Sequence, residues 1–125
     1  MILGTGIDVI EIARIAHSIE RYGDHFLRRV YTASEIAYCR RKRHGEESFA
    51  GRFAAKEAAA KALGTGISFG VTWREIEVAR EATGRPLLLL HGRAAELANA
   101  LGVKHSSLSI THTEAQAMAW VILEG

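Results

Sequence analysis

Hydrophobic and polar positions alternate along residues 2–9. Ile2, Gly4, Gly6 and Asp8 share one face, and Leu3, Thr5, Ile7 and Val9 the other, the period of a β-strand. One face of this strand is bare glycine ending in a carboxylate, and glycine inside a strand often marks the close approach of a ligand or another backbone. Over residues 11–22 the period lengthens. Ile12, Ile15, Ala16 and Ile19 form a helical stripe that leaves Arg14, Glu20 and Arg21 outside it. Thr32-Ala33-Ser34-Glu35 has capping-box spacing and predicts a second helix over 33–43, ending in the basic run Arg40-Arg41-Lys42-Arg43-His44 before Gly45. An alanine-rich stretch predicts a third helix over 48–63, capped by Ser48 and stopped at Gly64.

Strand alternation returns over 72–80, with Ile76 and Val78 against Glu75, Glu77 and Ala79. The turn Thr83-Gly84-Arg85-Pro86 then leads into Leu87–Leu90, so the pair reads as a hairpin. Residues 92–101 carry Ala94, Leu97, Ala98 and Leu101 on one helical face, stopped by Gly102. Strands over 107–111 and 117–123 close the chain around the turn Thr113-Glu114-Ala115-Gln116. The second of these is nearly all apolar, as a central or interface strand would be. The pattern predicts a single α+β domain over residues 1–125 with a largely antiparallel sheet.

Bulk composition changes this picture little. Hydrophobic residues are 48% and charged residues 24% of the 125, ordinary for a globular domain, and a domain so small gains from burying apolar surface against further copies. The charge of +2 and pI of about 8.9 suit an acidic partner or a phosphate-rich ligand. They do not argue for nucleic acid: aromatics are 7% and do not interleave with the basic run, so no stacking platform is present. The single cysteine, Cys39, excludes an internal disulfide and is expected to be a buried filler. The N-terminus lacks a basic region and meets Asp8 early, and no apolar run approaches membrane-spanning length. The expectation is therefore a cytoplasmic protein without a membrane partner.

A few residues offer chemistry. Asp8, at a strand-to-helix junction, fits either a ligand for a hard cation such as Mg²⁺ or a helix N-cap, since Asp8 and Glu11 have capping-box spacing. Glu57 and Lys61 lie four apart on one helix face, with Phe53 a turn earlier. Spacing alone leaves them as an exposed ion pair or as a metal ligand beside a phosphate-binding cation. His112 ends a strand where the chain turns, a common place for functional side chains and equally for a hydrogen-bonded turn histidine. Arg40–His44 and Arg85 are the basic features able to meet phosphate. No P-loop, GxGxxG or HExxH is present, so neither ATP, nicotinamide nor zinc-hydrolase chemistry follows from a motif.

Three stretches together resemble the holo-acyl-carrier-protein synthase family, the small class of phosphopantetheinyl transferases. They are Gly6-Ile7-Asp8-Val9 with Glu11 and Arg14-Ile15, the long central stretch from Phe49 to Gly66, and Ser109-Ile110-Thr111-His112-Thr113. The resemblance implies the fold of that class, assembled as a homotrimer with active sites at subunit interfaces. It implies transfer of 4'-phosphopantetheine from coenzyme A to a serine of apo acyl carrier protein, for fatty acid or polyketide synthesis, with release of adenosine 3',5'-bisphosphate. Under it, Asp8 and Glu57 are the Mg²⁺ ligands, Lys61 the cation on the transferred phosphate, and His112, with Thr113, the pyrophosphate contact. Arg43, His44, Arg52 and the Thr83-Gly84-Arg85 turn approach the nucleotide, and Arg14 and Arg21 dock the acidic helix of the carrier. The serine proton is expected to leave to Glu57 through a water, with a metal-bound water or another carboxylate such as Glu35 as the alternatives. Three rival readings are a metal-dependent phosphohydrolase using the same carboxylates, a small basic nucleic-acid-binding domain, and a trimeric scaffold whose charges are all surface.

Overall fold

A computed structural model describes every residue, Met1–Gly125. Strand β1 (Ile2–Glu11) runs directly into helix α1 (Ile12–Tyr22), followed by α2 (Asp24–Val30), α3 (Ala33–Arg40) and the long α4 (Gly45–Ala62). A short 3-10 turn, Trp73–Glu75, precedes the hairpin β2 (Ile76–Arg80) and β3 (Pro86–Leu90). Helix α5 (Gly92–Leu101) and strands β4 (His105–His112) and β5 (Gln116–Glu124) complete the chain. Every strand pairing is antiparallel, but the strands form two sheets, one ordered β1-β5-β4 and the other the β2-β3 hairpin.

Helix α4 lies across the three-stranded sheet, and small residues set how close it comes. A Cβ on Gly6 would sit 1.8 Å from the Ala58 carbonyl oxygen, and one on Gly4 2.1 Å from that of Ala62. The glycine face therefore receives the chain's own helix, not a ligand or a second subunit. Toward the other end of α4, a Cβ on Gly51 would meet Ile110 Cγ2 at 3.0 Å. The C-terminal half of α4 thus rests on β1 and its N-terminal half on β4, a diagonal that separates the two ends of the helix across the sheet. Seven of its alanines, Ala50 to Ala62, are buried in the core.

Two charged residues share that burial. Lys56 is fully buried, and its Nζ donates to Glu35 Oε1 (2.7 Å), to the Trp73 carbonyl (3.0 Å) and to the Ile76 carbonyl (2.6 Å), which uses all three ammonium protons. Glu35 accepts in addition from the Val78 amide (2.9 Å) and the Thr32 amide (2.9 Å). Burial pushes the Lys56 ammonium below its ordinary pKa, against the opposing pull of Glu35. Glu35, 1% exposed and fully partnered, is thereby removed from the candidates for the serine proton: it is the clamp that holds α3 and β2 to α4.

The capping box at Thr32 is present as read, with the Glu35 amide donating to Thr32 Oγ1 (3.3 Å), but α3 ends at Arg40, so the rest of the basic run is turn. Helix α2 falls where no element was expected. It buries Leu27 and Val30 and sets Phe26 edge-on to Tyr31 at 6.2 Å. Residues 73–75 are 3-10 rather than strand because Glu75 reaches back to the Thr72 amide (2.9 Å). Cys39 is buried as expected, and burial pushes its thiol up to about 11. No helix is long and apolar enough to cross a membrane.

Around the hairpin two carboxylates tie segments together. Glu77 meets His91 Nε2 (2.9 Å) and accepts from Thr32 Oγ1 (2.9 Å), and Glu75 accepts from the Arg93 amide (2.7 Å). Partial burial would raise both carboxyls, but hydrogen bonds outweigh it, from the Thr72 and Arg93 amides at Glu75 and from His91 and Thr32 at Glu77, and hold both below the usual carboxylate range. A folded pKa below the unfolded one stabilises above the unfolded value, and that contribution is lost as pH falls through the folded one. Thermal melts stepped from neutral to acid pH are therefore expected to show a steeper acid decline for the wild type than for Glu77→Gln. Parallel declines would count against Glu77 as a source of the acid sensitivity.

Candidate active site

Asp8 is inside β1, opposite Ala119 of β5, on the face that receives α4. The residue capping α1 is Glu11, and no side chain caps that helix, so the capping alternative for Asp8 is excluded. Its carboxylate instead meets Lys61, whose Nζ donates to Asp8 Oδ1 (3.0 Å) and to the Ile7 carbonyl (2.9 Å). Glu57, one turn before Lys61, is not its ion-pair partner: Glu57 Oε1 accepts from the indole N–H of Trp73 at 3.0 Å. The exposed Glu57–Lys61 pair considered from spacing is thus absent, and the half-exposed Lys61 lies between helix and strand on the Asp8 carboxylate.

The donor chemistry here fits a hard divalent cation. The donors available are the carboxylates of Asp8, one of whose oxygens Lys61 occupies, and of Glu57, one of whose oxygens accepts from Trp73. No three His, Cys, Asp or Glu side chains gather as a self-sufficient metal cage. Mg²⁺ usually binds through one or two carboxylates and draws its other oxygens from substrate phosphates and water.

A second cluster flanks the other end of α4. A cleft of about 290 Å³ is lined by Arg43, His44, Glu47, Arg52, Arg80 and His112, among others. Arg52 is 2% exposed, its guanidinium lies 4.1 Å from the centre of the Tyr38 ring, and its Nε is buried without a partner. Lys42, Arg80 and Arg41 approach the same ring at 4.7–5.9 Å. Burial would raise the Tyr38 hydroxyl, but Lys42, Arg80 and Arg52 outweigh it and lower it. So dense a positive field, with an unspent guanidinium donor, is suited to a multiply charged anion.

The remaining expected site residues are placed less directly. Thr83, Gly84 and Arg85 form the exposed tip of the hairpin and do not line the cleft; the basic residue that does is Arg80, which donates to the Gly84 carbonyl (2.6 Å). Thr113 Oγ1 accepts from the amides of Ala115 (3.3 Å) and Gln116 (3.1 Å), so its hydroxyl is engaged in the turn. Arg14 borders an apolar cleft of about 310 Å³ with Ile15, Phe26, Phe53 and Trp73, and the Arg21 guanidinium lies over Tyr22. Sequence reading missed Glu47, Arg80 and Trp73. Only Trp73 had a local signal, the capping spacing of Thr72 and Glu75 around it; Glu47 and Arg80 reach the cleft solely through the packing of α4, β2 and β4.

A family profile described as the 4'-phosphopantetheinyl transferase superfamily matches residues 4–121 of the chain. The chain is 58% identical over 124 residues to the holo-acyl-carrier-protein synthase of Koribacter versatilis, covering 99% of both. Among solved structures it resembles the holo-acyl-carrier-protein synthase of Neisseria meningitidis with a TM-score of 0.91 and 34% identity, covering 100% of both chains. It also resembles the Helicobacter pylori synthase in complex with coenzyme A, with a TM-score of 0.85 and 34% identity over 96% of this chain and 99% of the other.

Proposed function

The chain belongs to the 4'-phosphopantetheinyl transferase superfamily, and from that premise we infer that it is a holo-acyl-carrier-protein synthase, moving 4'-phosphopantetheine from coenzyme A to a serine of apo acyl carrier protein. The observation that carries this reading is the pairing of an Asp8–Lys61 contact, one helical turn along α4 from Glu57, with a separate anion cleft built on Arg52. One suits a reacting phosphate and the other a nucleotide phosphate.

In this reading the serine hydroxyl attacks the β-phosphorus of coenzyme A. The new serine O–P bond replaces the bond to the α-phosphate, and adenosine 3',5'-bisphosphate leaves. Such a transfer needs positioning and charge neutralisation more than covalent help from the protein. Asp8 and Glu57 are the residues that would hold Mg²⁺, which when bound neutralises charge on the pyrophosphate. Lys61 puts a further cation where negative charge develops. Glu57 receives the serine proton through a water, His112 contacts the pyrophosphate, and Arg43, His44 and Arg52 bind the nucleotide phosphate, with the Thr83–Arg85 tip brought near by Arg80. Arg14 and Arg21 dock the carrier beside the apolar cleft at Phe26 and Phe53.

We assign the active unit as a trimer. On the sheet face turned away from α4, Ile7 pairs with Trp120 and Val9 with Met118 across β1 and β5, and all four are 40–54% exposed. A contiguous apolar surface of this kind marks an interface. Within one chain α4 divides the Asp8 cluster from the Arg52 cleft, and an assembly with active sites at subunit interfaces would let one copy's Asp8 cluster meet a neighbour's Arg52 cleft around one ligand.

The test is to mix the protein with apo acyl carrier protein, coenzyme A and Mg²⁺ and to weigh the carrier by intact-protein mass spectrometry. The expected result is a gain of one phosphopantetheine, lost with EDTA and with Glu57→Ala. Hydrolysis of coenzyme A with the carrier left apo would instead favour a phosphohydrolase.

A further inference from the structure

Glu47 is the only carboxylate among the ten residues that line the anion cleft. In a site otherwise furnished with Lys42, Arg43, His44, Arg52 and Arg80, it opposes the binding of a phosphate unless its charge is engaged. It is engaged by His112: Glu47 Oε2 lies 3.0 Å from His112 Nδ1. The packing of α4 on β4 imposes this meeting. Gly51 abuts Ile110; Glu47 is one turn before Gly51 on the helix, and His112 is two residues beyond Ile110 on the same face of the strand.

The surroundings of Nδ1 also favour one tautomer of the ring. The Thr113 carbonyl lies 3.2 Å from the same Nδ1. Both neighbours of Nδ1 are oxygens, an arrangement that favours the neutral ring's proton on Nδ1, and Nε2 makes no hydrogen bond within the chain. A bare Nε2 lone pair would repel a phosphate oxygen. Contact with phosphate through Nε2 requires a second proton, and a doubly protonated imidazole beside several cations requires a counter-charge. The groups facing His112 and Glu47 from the cleft are the cations named above. On its other side Glu47 borders a shallow cleft with Glu11, Glu46 and Glu114, so no other acid in that group is placed against the ring.

We propose that Glu47 is a positioning residue for His112: it sets the Nδ1–H form, turns Nε2 toward the cleft, and supplies the counter-charge that lets the ring donate to a phosphate of coenzyme A through Nε2. The helix N-terminus accounts for acidic residues in this turn in general. It does not distinguish Glu47 from Glu46, which occupies the same turn and makes no contact with His112.

The proposal rests on the transferase reading only for the identity of the phosphate, and the test separates the two. Ring-nitrogen NMR of the free protein is expected to show His112 as a single Nδ1–H form in the wild type, Glu46→Gln and Glu47→Gln, whose amide oxygen still accepts. Glu47→Ala is expected to show a mixture. With adenosine 3',5'-bisphosphate added, both nitrogens of the wild-type ring become protonated, whereas Glu47→Gln leaves Nε2 bare. The KM for coenzyme A in Glu47→Gln is expected to rise roughly ten-fold, the loss of one charge-assisted hydrogen bond, with kcat little changed; Glu46→Gln leaves both unchanged. An unaltered tautomer in Glu47→Ala, or an equal rise in KM for Glu46→Gln, overturns the proposal. If the wild type itself fails to use coenzyme A, the transferase reading falls, while the free-protein tautomer still decides whether Glu47 positions the ring.

Discussion

Replacing Glu35 with alanine is expected to destabilise the fold by about 3–5 kcal/mol, the range found when one partner of a buried ion pair is removed and the other is left uncompensated. At this chain length that is a loss of roughly 10–20 °C in Tm. The reason is local. Lys56 is fully buried and keeps two carbonyl acceptors without Glu35, which satisfies its hydrogens but not its charge. The amides of Val78 and Thr32 lose their acceptor in the same step. Replacing both partners with apolar residues of similar volume, Glu35→Leu with Lys56→Met, is expected to recover much of the loss, because the uncompensated charge is gone. Urea and thermal melts of the single and double variants check this; a Glu35→Ala protein within about 1 kcal/mol of wild type would show that the pair contributes no more than a surface one. The effect reaches the proposed active site as well. Lys56 holds the Trp73 carbonyl and the Trp73 indole holds Glu57, so transferase activity of Glu35→Ala is expected to fall at temperatures where the protein is still folded.

Features written in local sequence were readable, and features that depend on which distant segment packs opposite were not. Thr32 and Glu35 carry a capping box in four consecutive residues, and the helix begins where they place it. The same spacing at Thr72 and Glu75 opens a single 3-10 turn, and there the alternation of Ile76 and Val78 masked it as an earlier start of the strand. Helix α2 is only seven residues long, too short for a helical period to stand out, although Asp24 in its first turn and Arg28 and Arg29 in its last follow the helix dipole. At the candidate site, position and spacing single out Asp8, Glu57 and Lys61, and the family resemblance assigns them their roles. Their actual partners were not found, since Lys61 bonds across to β1 and Glu57 to the loop after α4. Spacing on one helix offers the Glu57–Lys61 pair, and tertiary contact replaces it with two others. Glu47 looked like one more charge in a helix's first turn because its partner, His112, is 65 residues away in the chain.

Gly6→Ala is expected to damage both stability and transfer, and to damage transfer more. The added Cβ would lie 1.8 Å from the Ala58 carbonyl oxygen and 2.9 Å from the Ala62 amide nitrogen. Both are backbone atoms of a helix, so no side-chain rotation relieves the contact; β1 and α4 must part. Overpacking a well-filled core typically costs about 1–3 kcal/mol, and a clash with backbone on both sides belongs at the upper end of that range. Asp8 is two residues beyond Gly6 on the same face, and Lys61 reaches Ile7 and Asp8 from the helix that must move. The separation that relieves the clash therefore pulls apart the two sides of the proposed reacting-phosphate site, where a shift of about 1 Å can cost a hundred-fold in rate. Gly4→Ala is the matched comparison: it meets the Ala62 carbonyl at 2.1 Å, one strand repeat further from Asp8. Denaturant midpoints and carrier-modification rates of the two variants are to be measured side by side. Similar losses of stability with a much larger loss of rate in Gly6→Ala are expected. Equal rate losses would mean that the strand-to-helix spacing matters only for folding, and a Gly6→Ala protein like wild type in both would mean that β1 and α4 do not approach as closely as described.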